Sequence, residues 1–276
     1  MLRRFAQVDV FSDTPYLGNP LAVVLDGDGL TSDEMRRFAA WTNLSETTFL
    51  VRTTDPAADY AVRIFDTTSE LPFAGHPTLG TCHAWLAAGG RPRNDGQIVQ
   101  ECGAGLVGVR RTPDGLAFRS PDPFRSGSVD EAFVRRIADV LGIEREAIAD
   151  AQWAANGPNW VVALLRSADA VLALEPGFVD FDLGVAGPYP AGSPEAFEVR
   201  AFFPKDGRTA EDPVTGSLNG ALAQWFVRTG RATLPYVAGQ GRALGRAGRV
   251  HLSADDDGAI WVAGTTVTCV TGEVEL

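Results

Sequence analysis

Through the first 120 residues the apolar positions fall in short runs rich in Val, Phe, Ile and Leu, each bounded by Gly, Pro, Asp or Asn. These runs, at 7–11, 20–25, 48–52, 60–66, 97–102, 106–112 and 115–119, predict strands. Helical spacing interrupts them twice. Thr31-Ser32-Asp33-Glu34 has the form of a capping box and opens a helix to about residue 43, with Met35, Phe38, Ala39 and Trp41 as its apolar positions. A second helix runs from about 77 to 88 and stops at Gly89-Gly90. Segment 120–128, SPDPFRSGS, holds two prolines and three serines and disfavours both helix and central strand. A domain boundary is expected there, with a first lobe over 1–120 and a second over 128–264. Past it the pattern predicts helices at 129–141, 168–174 and 218–229, strands at 159–165 and 197–203, and further strands towards the C-terminus.

Composition fits this picture. At 45% hydrophobic and 21% charged the chain can bury a core, and 276 residues suggests two domains at about 150 residues each. The apolar runs at 20–25 and 160–165 fall far short of the ~18 residues that cross a bilayer, and Arg3 and Arg4 lead straight into a strand. Neither a membrane span nor a signal peptide is expected. A net charge of −11 without a basic stripe argues against nucleic acid. Three dispersed cysteines, Cys82, Cys102 and Cys269, lack metal or disulfide spacing and suit a reduced cytoplasm.

An internal repeat changes the picture. Sliding residues 75–110 onto 215–250 without gaps gives seven identities in 36 positions: Gly80/Gly220, Trp85/Trp225, Gly90/Gly230, Arg91/Arg231, Gln100/Gln240, Gly105/Gly245 and Gly108/Gly248. Upstream, with small gaps, Val62-Arg63 pairs with Val199-Arg200, Glu70-x-Pro72 with Glu211-x-Pro213, and Gly75 with Gly216. Recurring glycines imply shared backbone geometry. Two halves with one strand, loop, helix and strand plan are expected, with a cleft between them.

Each half leads a strand through a Glu-x-Pro loop into an apolar helix, at Glu70-Leu71-Pro72-Phe73-Ala74-Gly75-His76-Pro77-Thr78 and at Glu211-Asp212-Pro213-Val214-Thr215-Gly216-Ser217. Pro77 suits a first helical position, which makes His76 the expected N-cap and Ser217 its counterpart. Two helix N-termini facing one cleft would bind a small carboxylate, although each loop alone is also an ordinary capping turn. Next to a helix start, His76 is expected to be neutral. Glu46 lies where a capped helix ends and an apolar strand begins, a setting that partly desolvates a carboxylate and suits it to proton transfer, though a solvated turn is the alternative. Gly103-Ala104-Gly105-Leu106-Val107-Gly108 matches GxGxxG, but strand and turn follow where a dinucleotide site needs a helix. With no GxSxG serine, no cysteine at either helix start and no metal-ligand spacing, what survives is a cofactor-free site that moves protons.

These motifs, with Val8-Asp9-Val10-Phe11, Gly18-Asn19-Pro20, Asn43-Leu44-Ser45-Glu46-Thr47-Thr48-Phe49, Gln240-Gly241 and Gly245-Arg246, resemble the PhzF-like family of phenazine-biosynthesis isomerases over almost the whole chain. The resemblance implies an α+β fold of the diaminopimelate-epimerase type: two pseudo-symmetric lobes, each a curved, mostly antiparallel sheet around a central helix. The last strand, about 265–276, would return to the first lobe. It further implies a homodimer, no cofactor, and an isomerase that moves a proton within a small, cyclic, unsaturated carboxylic acid. Glu46 would be the acid/base, His76 and Asp212 would orient substrate or pass protons, and Ser45, Gly75, Gly216 and Ser217 would bind it; Phe73 and Trp41 are guesses for the pocket wall. The epimerase branch carries one cysteine at each helix start, which this chain lacks. A non-catalytic carboxylate-binding protein, or a racemase with a non-cysteine acid/base pair, are the rival readings.

Overall fold

The computed structural model describes residues 1–94 and 96–276. The chain divides into two compact units, Met1–Arg119 with Ala263–Leu276, and Ser120–Val262.

The first unit is built from β1 (Leu2–Val10), β2 (Asn19–Val24), α1 (Ser32–Thr42), β3 (Thr47–Val51), β4 (Tyr60–Phe65), β5 (Glu70–Leu71), α2 (Gly75–Ala87), β6 (Ile98–Cys102), β7 (Gly105–Thr112) and β8 (Gly115–Arg119). β2 lies between β1, antiparallel, and β3, parallel, which is why its run of Leu21, Ala22, Val23 and Val24 is apolar without alternation and wholly buried. Thr31 and Glu34 form both hydrogen bonds of the expected capping box, and Asn43 closes α1 in the left-handed region at φ 55°. One face of α1 then buries Met35, Phe38 and Ala39 against Val24, Phe49 and Phe65. Trp41 was expected on that apolar face, but it is 80% exposed and only stacks on Phe38. α2 is apolar around most of its circumference and sits at the centre of the unit, with Gly80 so close to Val8, Val10 and Leu21 that no side chain fits there. Gly105, at φ +98°, makes the GxGxxG segment a hairpin between β6 and β7.

The second unit holds β9 (Arg125–Ser128), α3 (Glu131–Leu141), β10 (Ile148–Ala155), β11 (Val161–Leu165), α4 (Ala168–Leu172), β12 (Leu183–Pro188), β13 (Phe197–Lys205), β14 (Arg208–Asp212), α5 (Gly216–Arg228), β15 (Tyr236–Gln240), β16 (Gly248–Ala254) and the first part of β17 (Ile260–Gly264), whose last two residues belong to the first unit. β18 (Thr266–Glu275) runs antiparallel to β1. The segment read as a linker is therefore partly strand, because β9 finds its hydrogen bonds on β10.

The pairing plan is the same in both units. β1–β2 and β10–β11 are antiparallel, β2–β3 and β11–β12 parallel, β3–β4 and β12–β13 antiparallel, and β4–β6 and β13–β15 parallel. A fork of Arg on Glu recurs at the equivalent strand pair: Arg63 Nε lies 2.7 Å from Glu70, and Arg200 Nε lies 2.9 Å from Glu211. The helices correct the repeat register. α2 and α5 are both 13 residues long and start at Gly75 and Gly216, an offset of 141 rather than 140. Their C-terminal bonds agree, Gly89 N–H to Leu86 and Gly230 N–H to Val227, both at 3.1 Å. Trp85 and Trp225 are thus one residue, about 100°, out of step. Trp85 is half-buried against Tyr60, whereas Trp225 is buried.

Candidate active site

Glu46 is the last residue before β3, in the turn that follows the left-handed Asn43. The Thr42 hydroxyl donates to the Ala39 carbonyl at 2.9 Å and so accepts from the Thr47 hydroxyl, also at 2.9 Å. This clasp ties the two ends of the turn and fixes where Ser45 and Glu46 project. Both are half-buried, and the Glu46 side chain is 18% exposed.

His76 faces it. Glu46 Oε2 lies 3.4 Å from His76 Nε2, and the imidazole is 5% exposed. Burial pushes the His76 ring down to about 3, against a weaker upward pull from its hydrogen bond to the Pro20 carbonyl. A carbonyl can only accept, and Nε2 is turned to Glu46 without a hydrogen bond of its own, so Nδ1 carries the proton and Nε2 keeps its lone pair. The Asn19 amide nitrogen, 3.4 Å from Nδ1, flanks the ring on that side. At neutral pH the imidazole is therefore uncharged, and the pair is a carboxyl group against a neutral acceptor rather than an ion pair.

His76 is the second residue of α2 and not its cap, a correction that applies equally to Ser217 in α5. The caps are Ala74 and Thr215, and neither side chain closes its helix start. Proline fits at Pro77, inside the first turn, because the N–H it lacks has no partner there anyway. Gly75 is required by packing: a Cβ would lie 2.6 Å from Cζ of the buried Phe118, on which Phe73 packs edge-on. Phe73 thus belongs to the packing of the helix start. Cys82, further along α2, is buried with its thiol pushed up to about 12, which suits it to packing and not to proton transfer.

In the second unit Asp212 ends β14, and its Oδ2 accepts from the Thr215 hydroxyl at 2.6 Å. Gly216 opens α5. Ser217 is held at both ends by residues that the sequence did not single out. The Asn156 amide donates to its carbonyl at 3.0 Å, and the Trp160 indole N–H donates to its Oγ at 3.2 Å. An indole can only donate, so the Ser217 hydroxyl accepts from it and keeps its own proton for another partner. Trp160 and Asn156 are buried. Only their polarity inside an otherwise apolar stretch could have marked them. Ser45, Glu46, Gly75 and His76 thus cluster in the first unit, and Asp212, Gly216 and Ser217 cluster around the start of α5.

Residues 8–272 match the family described as phenazine biosynthesis-like protein. The chain is 34% identical to Antisense-enhancing sequence 1 of Schizosaccharomyces pombe, over 98% of this chain and 97% of that one. It is 32% identical to the trans-2,3-dihydro-3-hydroxyanthranilate isomerase of Pseudomonas aeruginosa, over 100% of both. Its fold matches the crystal structure of a PhzF-family phenazine biosynthesis protein from Bacillus anthracis with a TM-score of 0.85 at 23% identity, over 100% of both chains. No helix among the described residues is long and apolar enough to cross a membrane. The chain belongs to the phenazine biosynthesis-like, or PhzF, family and is an isomerase.

Proposed function

We propose that this isomerase moves a proton between carbons of a small, cyclic, unsaturated carboxylic acid, with Glu46 as the acid/base. The observation that carries the reading is Glu46 set against a buried, neutral His76. The buried, uncharged ring is set to hold a hydrogen bond from the carboxyl group, and removal of the proton is assigned to the more exposed Glu46. The Nε2 lone pair can accept a hydrogen bond from the Glu46 carboxyl once it has taken the proton, which keeps the acid in place for return to a second carbon. Asp212 orients or relays, while Ser45, Gly75, Gly216 and Ser217 bind substrate. Uncapped N–H groups at the starts of α2 and α5, and a Ser217 hydroxyl left as donor, favour a carboxylate.

We read the enzyme as cytoplasmic, in keeping with its three free thiols, and as a homodimer, which sedimentation would check. The function is tested in heavy water with trans-2,3-dihydro-3-hydroxyanthranilate, the compound in the name of the Pseudomonas relative, as first probe. Carbon-bound deuterium in an isomerised product is the expected result. Binding without exchange, for this and related cyclic carboxylates, would make the protein a binder; inversion of a stereocentre without double-bond movement would make it a racemase.

A further inference from the structure

Gln240 makes four hydrogen bonds beside the start of α5, and nothing in the proposed chemistry uses it. It is completely buried at the end of β15. Its Oε1 accepts from the Thr215 backbone N–H at 3.0 Å and from the Asn219 side-chain amide at 2.8 Å. Its Nε2 donates to the Asp212 carbonyl at 3.1 Å and to the Thr215 hydroxyl at 2.9 Å. The amide cannot be turned over, because both oxygen partners are N–H donors and the Asp212 carbonyl can only accept. Polarity then propagates along the chain of bonds. Thr215 Oγ1 accepts a hydrogen bond from Gln240, so its own hydrogen is committed to Asp212 Oδ2, 2.6 Å away.

The first unit carries the same brace with a different end. Gln100, also completely buried, donates through Nε2 to the Thr78 hydroxyl at 3.0 Å, and that hydroxyl donates to the Ala74 carbonyl at 2.9 Å. Thr78 and Asn219 are each the fourth residue of their helix. In one unit the relay ends on backbone, and in the other on a carboxylate.

We infer that Gln240 is a positioning residue which, through the Thr215 hydroxyl, holds Asp212 oriented as an acceptor at the start of α5. The inference rests on the role proposed for Asp212, but its geometry can be read without turnover. Arg200 and Glu211, on the adjoining β13 and β14, pair with each other and are left in place by the variants below.

The test compares Thr215→Val, Thr215→Ser and Gln240→Glu in the full-length protein. An ionised glutamate at 240 accepts but cannot donate, so the Thr215 hydroxyl turns towards it and Asp212 loses that hydrogen bond. The Asp212 ¹³C carboxyl resonance, assigned with Asp212→Asn, should move in Thr215→Val and Gln240→Glu and stay in place in Thr215→Ser. In the turnover assay the first two should lower kcat about tenfold with a smaller change in KM, consistent with losing one charge-assisted hydrogen bond. Thr215→Ser should recover most of that loss, and Thr215→Val combined with Gln240→Glu should lose no more than either alone. Lower thermal stability with an unmoved Asp212 resonance would show a purely structural brace and overturn the inference. A moved resonance without any turnover in the wild type would instead count against the proposed function alone.

Discussion

His76 makes a prediction about stability that needs no substrate. Unfolded, its imidazole takes a proton as the pH falls below 6.5; folded, burial delays this to about 3. In the window between, the unfolded chain binds the proton and the folded one does not, so stability falls as the pH is lowered from about 6.5 towards 3. One unit of separation is worth about 1.4 kcal/mol, so at pH 5 the cost is about 2 kcal/mol relative to pH 7.5. The ring is 5% exposed, so solvent screening removes little of it. Urea unfolding of the wild type and His76→Gln at pH 7.5 and 5 isolates this term, because the cavity and hydrogen-bond effects of the substitution appear at both values and cancel. The wild type should lose about 2 kcal/mol more than the variant between the two. A difference that stays constant would refute the neutral ring. A wild type that gains on the variant would mean that His76 is an imidazolium paired with Glu46, and the base assigned above would then be wrong.

Glu46→Gln should keep the fold and ligand affinity while lowering proton exchange at least ~10²-fold, the lower end of what a general acid/base contributes; exchange near the wild-type rate in heavy water would show that another residue is the base. Gly75→Ala should destabilise the protein by about 1–3 kcal/mol by driving a methyl into Phe118, and Phe118→Leu in the same chain should recover part of it. Additive losses in calorimetry would mean that the two do not touch.

What could be read ahead of the structure was what local chemistry decides. The capping box at Thr31 and the left-handed Asn43 bound α1 to the residue, because both ends are fixed by groups within one turn. The starts of α2 and α5 were each placed two residues late. Gly75 is tolerated there because Phe118 approaches from a distant strand, and no local rule contains that contact. β12 was missed because its Gly184 and Gly187 look like turn residues. They are small because Leu218 presses on one and the Ser167 backbone on the other. β9 was hidden for a related reason, since a Pro- and Ser-rich segment becomes strand only when β10 supplies its partners. At the candidate site, type and setting single out Glu46 and His76, which the structure places 3.4 Å apart. The parts played by Trp160 and Asn156, and by Gln240 beyond its recurrence opposite Gln100, are not legible in the sequence, because each depends on a hydrogen bond to a residue at least 25 positions away.

The duplicated scaffold also bears on the choice between one base and two. A racemase that removes a proton from one face and delivers another to the opposite face needs a proton carrier at each helix start. Here the repeated frame is kept, in the Arg–Glu forks, the equal helices and the glutamine braces, while the residues it presents have diverged. The second position of the helix is a neutral imidazole against a carboxyl in the first unit and a hydroxyl, Ser217, in the second. The Ser217 hydroxyl accepts from the Trp160 indole N–H, which leaves its own hydrogen to donate. Asp212, at the end of β14, accepts on Oδ2 from the Thr215 hydroxyl. On the proposed assignment proton transfer falls to Glu46 alone, and a single group that both removes and returns the proton fits migration along one face of a ring better than inversion.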